Sequence, residues 1–266
     1  MRNVARLIAA FALISATAAF SQSVFDATLV EADQKTADVS TTELRQILAA
    51  NSATLLDARP PMEFAVSHVP GAVNVAPQPG RPAHLYISDV AEVARLLGGD
   101  KRQPIVLYCN GPFCGKSKRL AAELLEAGYG SVRRYQIGSP GWRALAGSAM
   151  QTELIALPYI GTDKTAVWID TREATDFARG TIEGARNIPV SGLRPGKDQG
   201  IMKAAKDDGR LPMDDHNTRI IVFGANGIDA RAVADAIASE AFHNVSFIVE
   251  PVERVRRAMR GSPARK

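Results

Sequence analysis

Cysteine is scarce in this chain: two residues in 266, Cys109 and Cys114. Two cysteines exclude a disulfide framework for a protein of this size. Histidine is sparse as well. His68, His84, His216 and His243 stand isolated, without metal-ligand spacing, so neither a metal nor another cofactor is expected. A dominant charge is missing. Lys and Arg number 32 against 28 Asp and Glu, and without Arg2 and Arg6 the excess of four falls to two. That balance gives no case for a nucleic-acid surface. Long apolar runs are missing too. Leu7 to Phe20 spans fourteen residues, short of the roughly twenty that cross a bilayer.

That run follows a basic start (Arg2, Arg6) and precedes small residues from Ala16 to Ser21. The pattern predicts a secretory signal peptide over 1–21, cleaved after Ala18 or Ser21. It leaves no stable membrane anchor and sends the mature protein to the periplasm or outside the cell. Such a compartment is oxidising, so a Cys109–Cys114 disulfide is chemically available. About 245 residues remain, enough for two compact domains.

What the chain does have is a repeat. Residues 55–75 (LLDARPPMEFAVSHVPGAVNV) align without a gap on 168–188 (WIDTREATDFARGTIEGARNI). Asp57/Asp170, Arg59/Arg172, Phe64/Phe177, Gly71/Gly184 and Asn74/Asn187 are among the identical pairs. The unit is too long for a solenoid and fits two copies of one domain.

Each copy alternates strands with helices. In the first, Ser40-Thr-Thr-Glu43 is a capping box opening a helix through Ala50. Strands are predicted over Ala53–Asp57, Val73–Val75, Ile105–Tyr108 and Val132–Gln136. Helices are predicted over Met62–Val66, Asp89–Leu97, Ser117–Ala127 (with Gly128 as its cap) and after Pro140. In the second, the strands are Val167–Asp170, Ile188–Val190, Ile220–Phe223 and Val245–Val249. The helices are Ile201–Lys206, Asp229–Ala241 and Val252–Met259. No counterpart of the first helix precedes Val167. Residues 147–163, with Pro158 and Gly161, read as a linker, and 22–38 as a polar lead-in. The alternation predicts α/β architecture with parallel sheets covered on both faces.

The copies differ at one place. The first runs Ile105-Val-Leu-Tyr-Cys109 into a glycine-containing loop; the second runs Ile220-Ile-Val-Phe-Gly224 into a loop without cysteine. A strand, a glycine turn and a helix start make an anion cradle. A cysteine at its focus has its thiolate favoured, helped by Lys116, Lys118 and Arg119, as a nucleophile acting on an anion requires. Gly111-Pro-Phe-Cys-Gly115-Lys116-Ser117 nearly spells a phosphate-binding P-loop, but three residues separate the glycines where that motif needs four.

Asp57-Ala-Arg59, Glu63-Phe64, His68-Val-Pro-Gly71-Ala72, Tyr108-Cys109 and Gly138…Gly141-Trp142 together closely resemble the rhodanese (thiosulfate sulfurtransferase) family. The resemblance covers roughly 39–146 and 163–261 and implies two small doubly wound α/β domains in tandem. It also implies that Cys109 carries a persulfide, taking a sulfane sulfur from a small sulfur-containing anion and passing it to a thiol acceptor. Loop residues Asn110, Gly111, Phe113, Gly115, Lys116 and Ser117, with Arg59, would bind substrate, and Trp142 would sit near the loop. The second domain, lacking cysteine, would be inactive. In the familiar two-domain members the cysteine lies in the C-terminal copy; here it lies in the N-terminal one. The loop is also longer: nineteen residues separate Cys109 from Gly128, and seventeen separate Gly224 from Ala241. The extra length brings in Cys114, as in rhodanese variants with a Tyr-Cys-Asn-Gly-Pro-x-Cys loop.

Two other readings remain open at this point. Cys114 is a candidate resolving thiol, which would make the pair a thiol–disulfide redox centre. Alternatively the cradle only recognises an anionic partner. Asp57 and Arg59 persist as Asp170 and Arg172 where no nucleophile exists, so the pair is expected to hold strand to loop. His68 is expected to serve the turn before Pro70-Gly71, because a thiolate formed by backbone amides needs no base.

Overall fold

Four-residue apolar strands with no polar face need cover on both sides. The computed structural model describes residues 23–29, 31–75, 90–112, 114–145 and 147–260. The first half comprises α1 (Thr41–Ala50), β1 (Thr54–Asp57), α2 (Pro61–Val66), β2 (Val73–Asn74), α3 (Val90–Leu96), β3 (Ile105–Tyr108), α4 (Gly115–Glu126), β4 (Val132–Tyr135) and α5 (Gly138–Leu145). The second comprises β5 (Met150–Gln151), α6 (Leu157–Ile160), β6 (Val167–Asp170), α7 (Ala174–Ala178), β7 (Arg186–Asn187), α8 (Gly200–Asp207), β8 (Ile220–Gly224), α9 (Gly227–Ser239), β9 (Val245–Pro251) and α10 (Val252–Arg260). The sheets run β2-β1-β3-β4 and β5-β9-β8-β6-β7, and every pairing is parallel. These are two doubly wound α/β units in tandem, as the alternation of segments predicts.

Strand periodicity divides each core in two. Leu56, Ile105 and Leu107 enter one cluster with Leu120 and Leu124 of α4. Leu55, Val106 and Tyr108 enter the other with Leu44 and Trp142. In the second sheet Ile169 and Val222 face one way, Trp168, Ile221 and Phe223 the other. The Ser40 side chain accepts the Glu43 N–H at the start of α1, and Asn51 ends that helix in the left-handed region.

Three stretches depart from expectation. Residues 147–163 are not a linker. β5 pairs with β9 as the edge of the second sheet, and a 3₁₀ turn (Leu154–Ala156) leads into α6, whose Leu157 and Ile160 are buried. A shortened counterpart of α1 therefore does exist, and Pro158 sits in its first turn, where proline starts a helix rather than breaking one. The lead-in is also structured. Asp38 bridges Arg134 in parallel, and Glu31 pairs with both Arg134 and Lys118. Finally, the strand expected at Ile188–Val190 lies at Arg186–Asn187, because Pro189 has no N–H to extend the ladder and a 3₁₀ turn follows. The expected signal peptide, Asp89 and Phe113 lie outside the described residues.

The halves meet at the end of α2. His68 and Gln151 exchange backbone hydrogen bonds of 2.9 and 2.8 Å. Glu153 N–H donates to the Ala65 carbonyl, and the Thr152 hydroxyl donates to the Val66 carbonyl, both at 2.8 Å. Met150, on the second sheet, packs within the core of the first.

Candidate active site

β3 delivers the chain to Cys109, which is 2% exposed. Gly111, at φ +103, turns it back, and the Cys114 N–H donates to the Gly111 carbonyl at 3.2 Å. Cys114 then caps α4. The turn brings the two Cα atoms to 6.2 Å, and the sulfurs are joined as a disulfide. On the other side the Cys109 carbonyl accepts the Ser139 N–H at 3.0 Å. Only glycine permits that approach at 138. Its φ is +65, and a Cβ there would lie 2.4 Å from both the Cys109 carbonyl oxygen and the Gly111 nitrogen.

A cavity of about 760 Å³ opens beside this turn. Arg59, Glu63, Ser67, Asn110, Lys116, Ser139 and Arg143 line it from the first half, and Tyr159 and Arg219 from the second. Of the residues expected to bind substrate, Arg59, Asn110 and Lys116 thus reach it. Asn110 Nδ2 donates to Glu63 Oε2 at 2.6 Å. Gly111 is buried in the turn, and Gly115 opens on a separate groove beside Lys118 and Arg119. Ser117 is buried and meets Arg134 at 3.4 Å rather than the cavity. Phe113 is outside the described residues.

Arg59 is anchored. Its Nε donates to both oxygens of Asp57 at 2.9 and 3.0 Å, and Nη2 reaches the Ser67 carbonyl at 2.7 Å. Burial opposes the charge on Arg59, but Asp57 outweighs it and holds the guanidinium pKa above its ordinary value. Arg172 repeats these contacts with Asp170 (3.0 and 3.2 Å) and with the Gly180 carbonyl (2.8 Å). Asn74 Nδ2 donates to the backbone carbonyls of Asp57 and Arg59, and Asn187 Nδ2 to those of Asp170 and Arg172, at 3.0 and 2.8 Å in each case. The identities of the repeat are therefore a lattice that fixes the strand end, independent of any nucleophile. His68 belongs to that frame. Its Nδ1 lies 2.9 Å from the Phe64 carbonyl, its ring stacks on Phe64, and burial drives its pKa down to about 4. The ring is therefore neutral, and its 3.4 Å approach to Glu153 is not an ion pair. Trp142 packs in the core.

Among the described residues the second half has no cysteine at the equivalent strand end. Gly224 takes the place of Cys109, and a Cβ there would lie 2.0 Å from the hydroxyl of Thr171, which stands where the first copy has Ala58. β9 runs on to pair Pro251 with Gly224, and Val249 closes on Gly227. Sequence reasoning missed Arg143, Tyr159 and Arg219. Arg143 follows Trp142 directly, but Tyr159 and Arg219 reach the cavity only through the packing of one half on the other.

Compared with known proteins, the family described as rhodanese-like domain matches twice, over residues 40–145 and 157–253. A helix–turn–helix-type transcriptional regulator of Mycobacterium tuberculosis is 32% identical over 109 residues, 41% of this chain and 42% of that one. Among solved structures, thiosulfate sulfurtransferase from Pseudomonas aeruginosa has 20% identity and a TM-score of 0.34, over 80% of this chain and 43% of that one. EanB, solved as a persulfide with ergothioneine, has 16% identity and a TM-score of 0.37, over 80% and 59%. The chain thus spans less than half the length of the regulator and of the sulfurtransferase.

Proposed function

The chain belongs to the rhodanese-like domain family, and on that footing we propose that it is a sulfurtransferase working through Cys109 in a periplasmic or secreted setting. The observation that carries this reading is the placing of Cys109. It sits at the end of a central strand, beside a helix start and next to a cavity lined by four basic side chains. An anionic sulfur donor is drawn to such a place. With the disulfide reduced, the Cys109 thiolate attacks the outer sulfur of a donor such as thiosulfate. A sulfur–sulfur bond forms on Cys109, the donor's own sulfur–sulfur bond breaks, and sulfite leaves with its electron pair. An acceptor thiol then takes the outer sulfur and restores the Cys109 thiolate. The second half lends walls to the cavity and does no chemistry of its own.

The disulfide favours a second reading, a thiol–disulfide redox centre. The two readings also join. Cys114 is within bonding reach of Cys109, so it can attack the inner sulfur of the persulfide, closing the disulfide and releasing hydrosulfide. A dithiol reductant is then needed to reopen it. Mass spectrometry of reduced protein incubated with thiosulfate tests the proposal. The expected result is a gain of about 32 Da, one sulfur atom, on the Cys109 peptide of a Cys114→Ser variant, and none in Cys109→Ser. A Cys114→Ser variant that gains no mass, beside a parent that only loses about 2 Da, leaves the redox reading alone.

A further inference from the structure

Positive charge in the second half gathers on α10. Among the described residues, every arginine outside that helix makes an ion pair, a hydrogen bond or a ring contact. The four on it, Arg254, Arg256, Arg257 and Arg260, make none. The helix itself is anchored: Val252 and Val255 are buried, and Met259 packs against the same core. A helix dipole favours cations in the last turn, which accounts for Arg257 and Arg260. It does not account for Arg256, which is half-buried and lies one turn before Arg260 on the same side, where like charges repel. A cavity of about 740 Å³ opens beside this pair, nearly the volume of the one beside Cys109. Arg256 and Arg260 line it from α10, and Lys164 lines it from the turn before β6. Arg186 adds a fourth cation, held by the Gly209 and Arg210 carbonyls. Of the carboxylates on the wall, Asp163 is engaged by Thr165 and by Arg219. That leaves Glu183 opposite four cations. Trp168, 8% exposed, closes the wall with the edge of its indole.

We propose that this cavity binds a small anion bearing two or more oxyanion groups, a phosphate ester or a polycarboxylate, held chiefly by Arg256 and Arg260. A guanidinium takes the oxygens of a phosphate or carboxylate two at a time, and two of them one turn apart hold two such groups at once. Concave walls of this volume suit a compact ligand rather than an extended chain. The site shares no lining residue with the cavity beside Cys109. It gives the half without a cysteine a binding role of its own, whatever Cys109 does.

Trp168 supplies a readout, because the chain has two tryptophans and Trp142 lies in the core of the first half. The whole protein is titrated with pyrophosphate and with citrate, followed by calorimetry and by tryptophan emission. The expected result is saturable binding of at least one probe, weakened about tenfold or more in Arg256→Gln and in Arg260→Gln. Binding should change the emission of the parent and not that of Trp168→Phe. Arg254→Gln, exposed on α10 and outside the cavity, should bind as the parent does. Preference for pyrophosphate assigns the site to a phosphate ester, and preference for citrate assigns it to a polycarboxylate. No saturable binding of either probe, or parental affinity in either folded cavity variant, overturns the proposal. An emission change that persists in Trp168→Phe places the ligand elsewhere and overturns it too. So does equal weakening in Arg254→Gln, which would mark a diffuse basic face suited to a macromolecular polyanion. Circular dichroism identifies a variant that has lost its fold, and the other then decides.

Discussion

His68 shows how one buried residue sets a pH limit. The unfolded side chain titrates near 6.5, the folded one near 4. Between those values the unfolded chain binds the extra proton, so stability falls as pH drops through the window. Asp38 works in the opposite sense: burial raises its carboxyl to about 6, so its contribution fades as pH rises toward that value. Comparing the parent with His68→Gln cancels the Asp38 effect. In urea denaturation the parent's stability relative to the variant should drop by about 2 kcal/mol between pH 7 and pH 5. An unchanged difference would show that the histidine is free to protonate. At this scale the sequence was most readable where chemistry is local. Cys109 and Cys114, Asp57 with Arg59, and the turn role of His68 all follow from neighbours in the chain. Arg143 was not readable, because the cavity it lines takes its walls from both halves of the chain, and that packing leaves no trace in a string of residues.

At the level of elements, the turn after β3 depends on the backbone at the start of α5. Gly138→Ala combines positive φ with contact against two backbone atoms at 2.4 Å, so relief requires moving the cysteine loop. We expect a loss of more than about 2 kcal/mol in urea denaturation, with sulfur uptake at Cys109 falling too. Gly98→Ala is the control. Its φ is +59, but nothing lies within 4 Å of the new Cβ, so only the backbone strain of about 1 kcal/mol should appear. Equal losses in the two variants would refute the packing argument. Elements with strong periodicity, such as β3 and α4, were legible to within two residues. β5 and α6 were not. A two-residue strand and a four-residue helix are too short to show a period, and both owe their form to β9 and α10, which come about a hundred residues later.

For the whole molecule, the two halves share a core rather than a tether. Met150 fills the first core, and the His68–Gln151 bridge stitches α2 to the second sheet. A chain ended at Gly147 loses both. We expect its melting temperature to fall by about 10 °C or more against the full chain, read by calorimetry. Equal melting temperatures would mean that the halves are independent. Tandem organisation was legible from the repeat, but the shared core was not, since the identical pairs report what each copy does for itself. The Thr171 hydroxyl finally bears on what the second copy can accept. Restoring a cysteine at 224 sets its Cβ 2.0 Å from that hydroxyl, while trimming Thr171 alone gives no thiol. A thiol at 224 therefore fits only once the Thr171 side chain has turned aside or been trimmed, so arming the second copy engages position 171 as well as position 224.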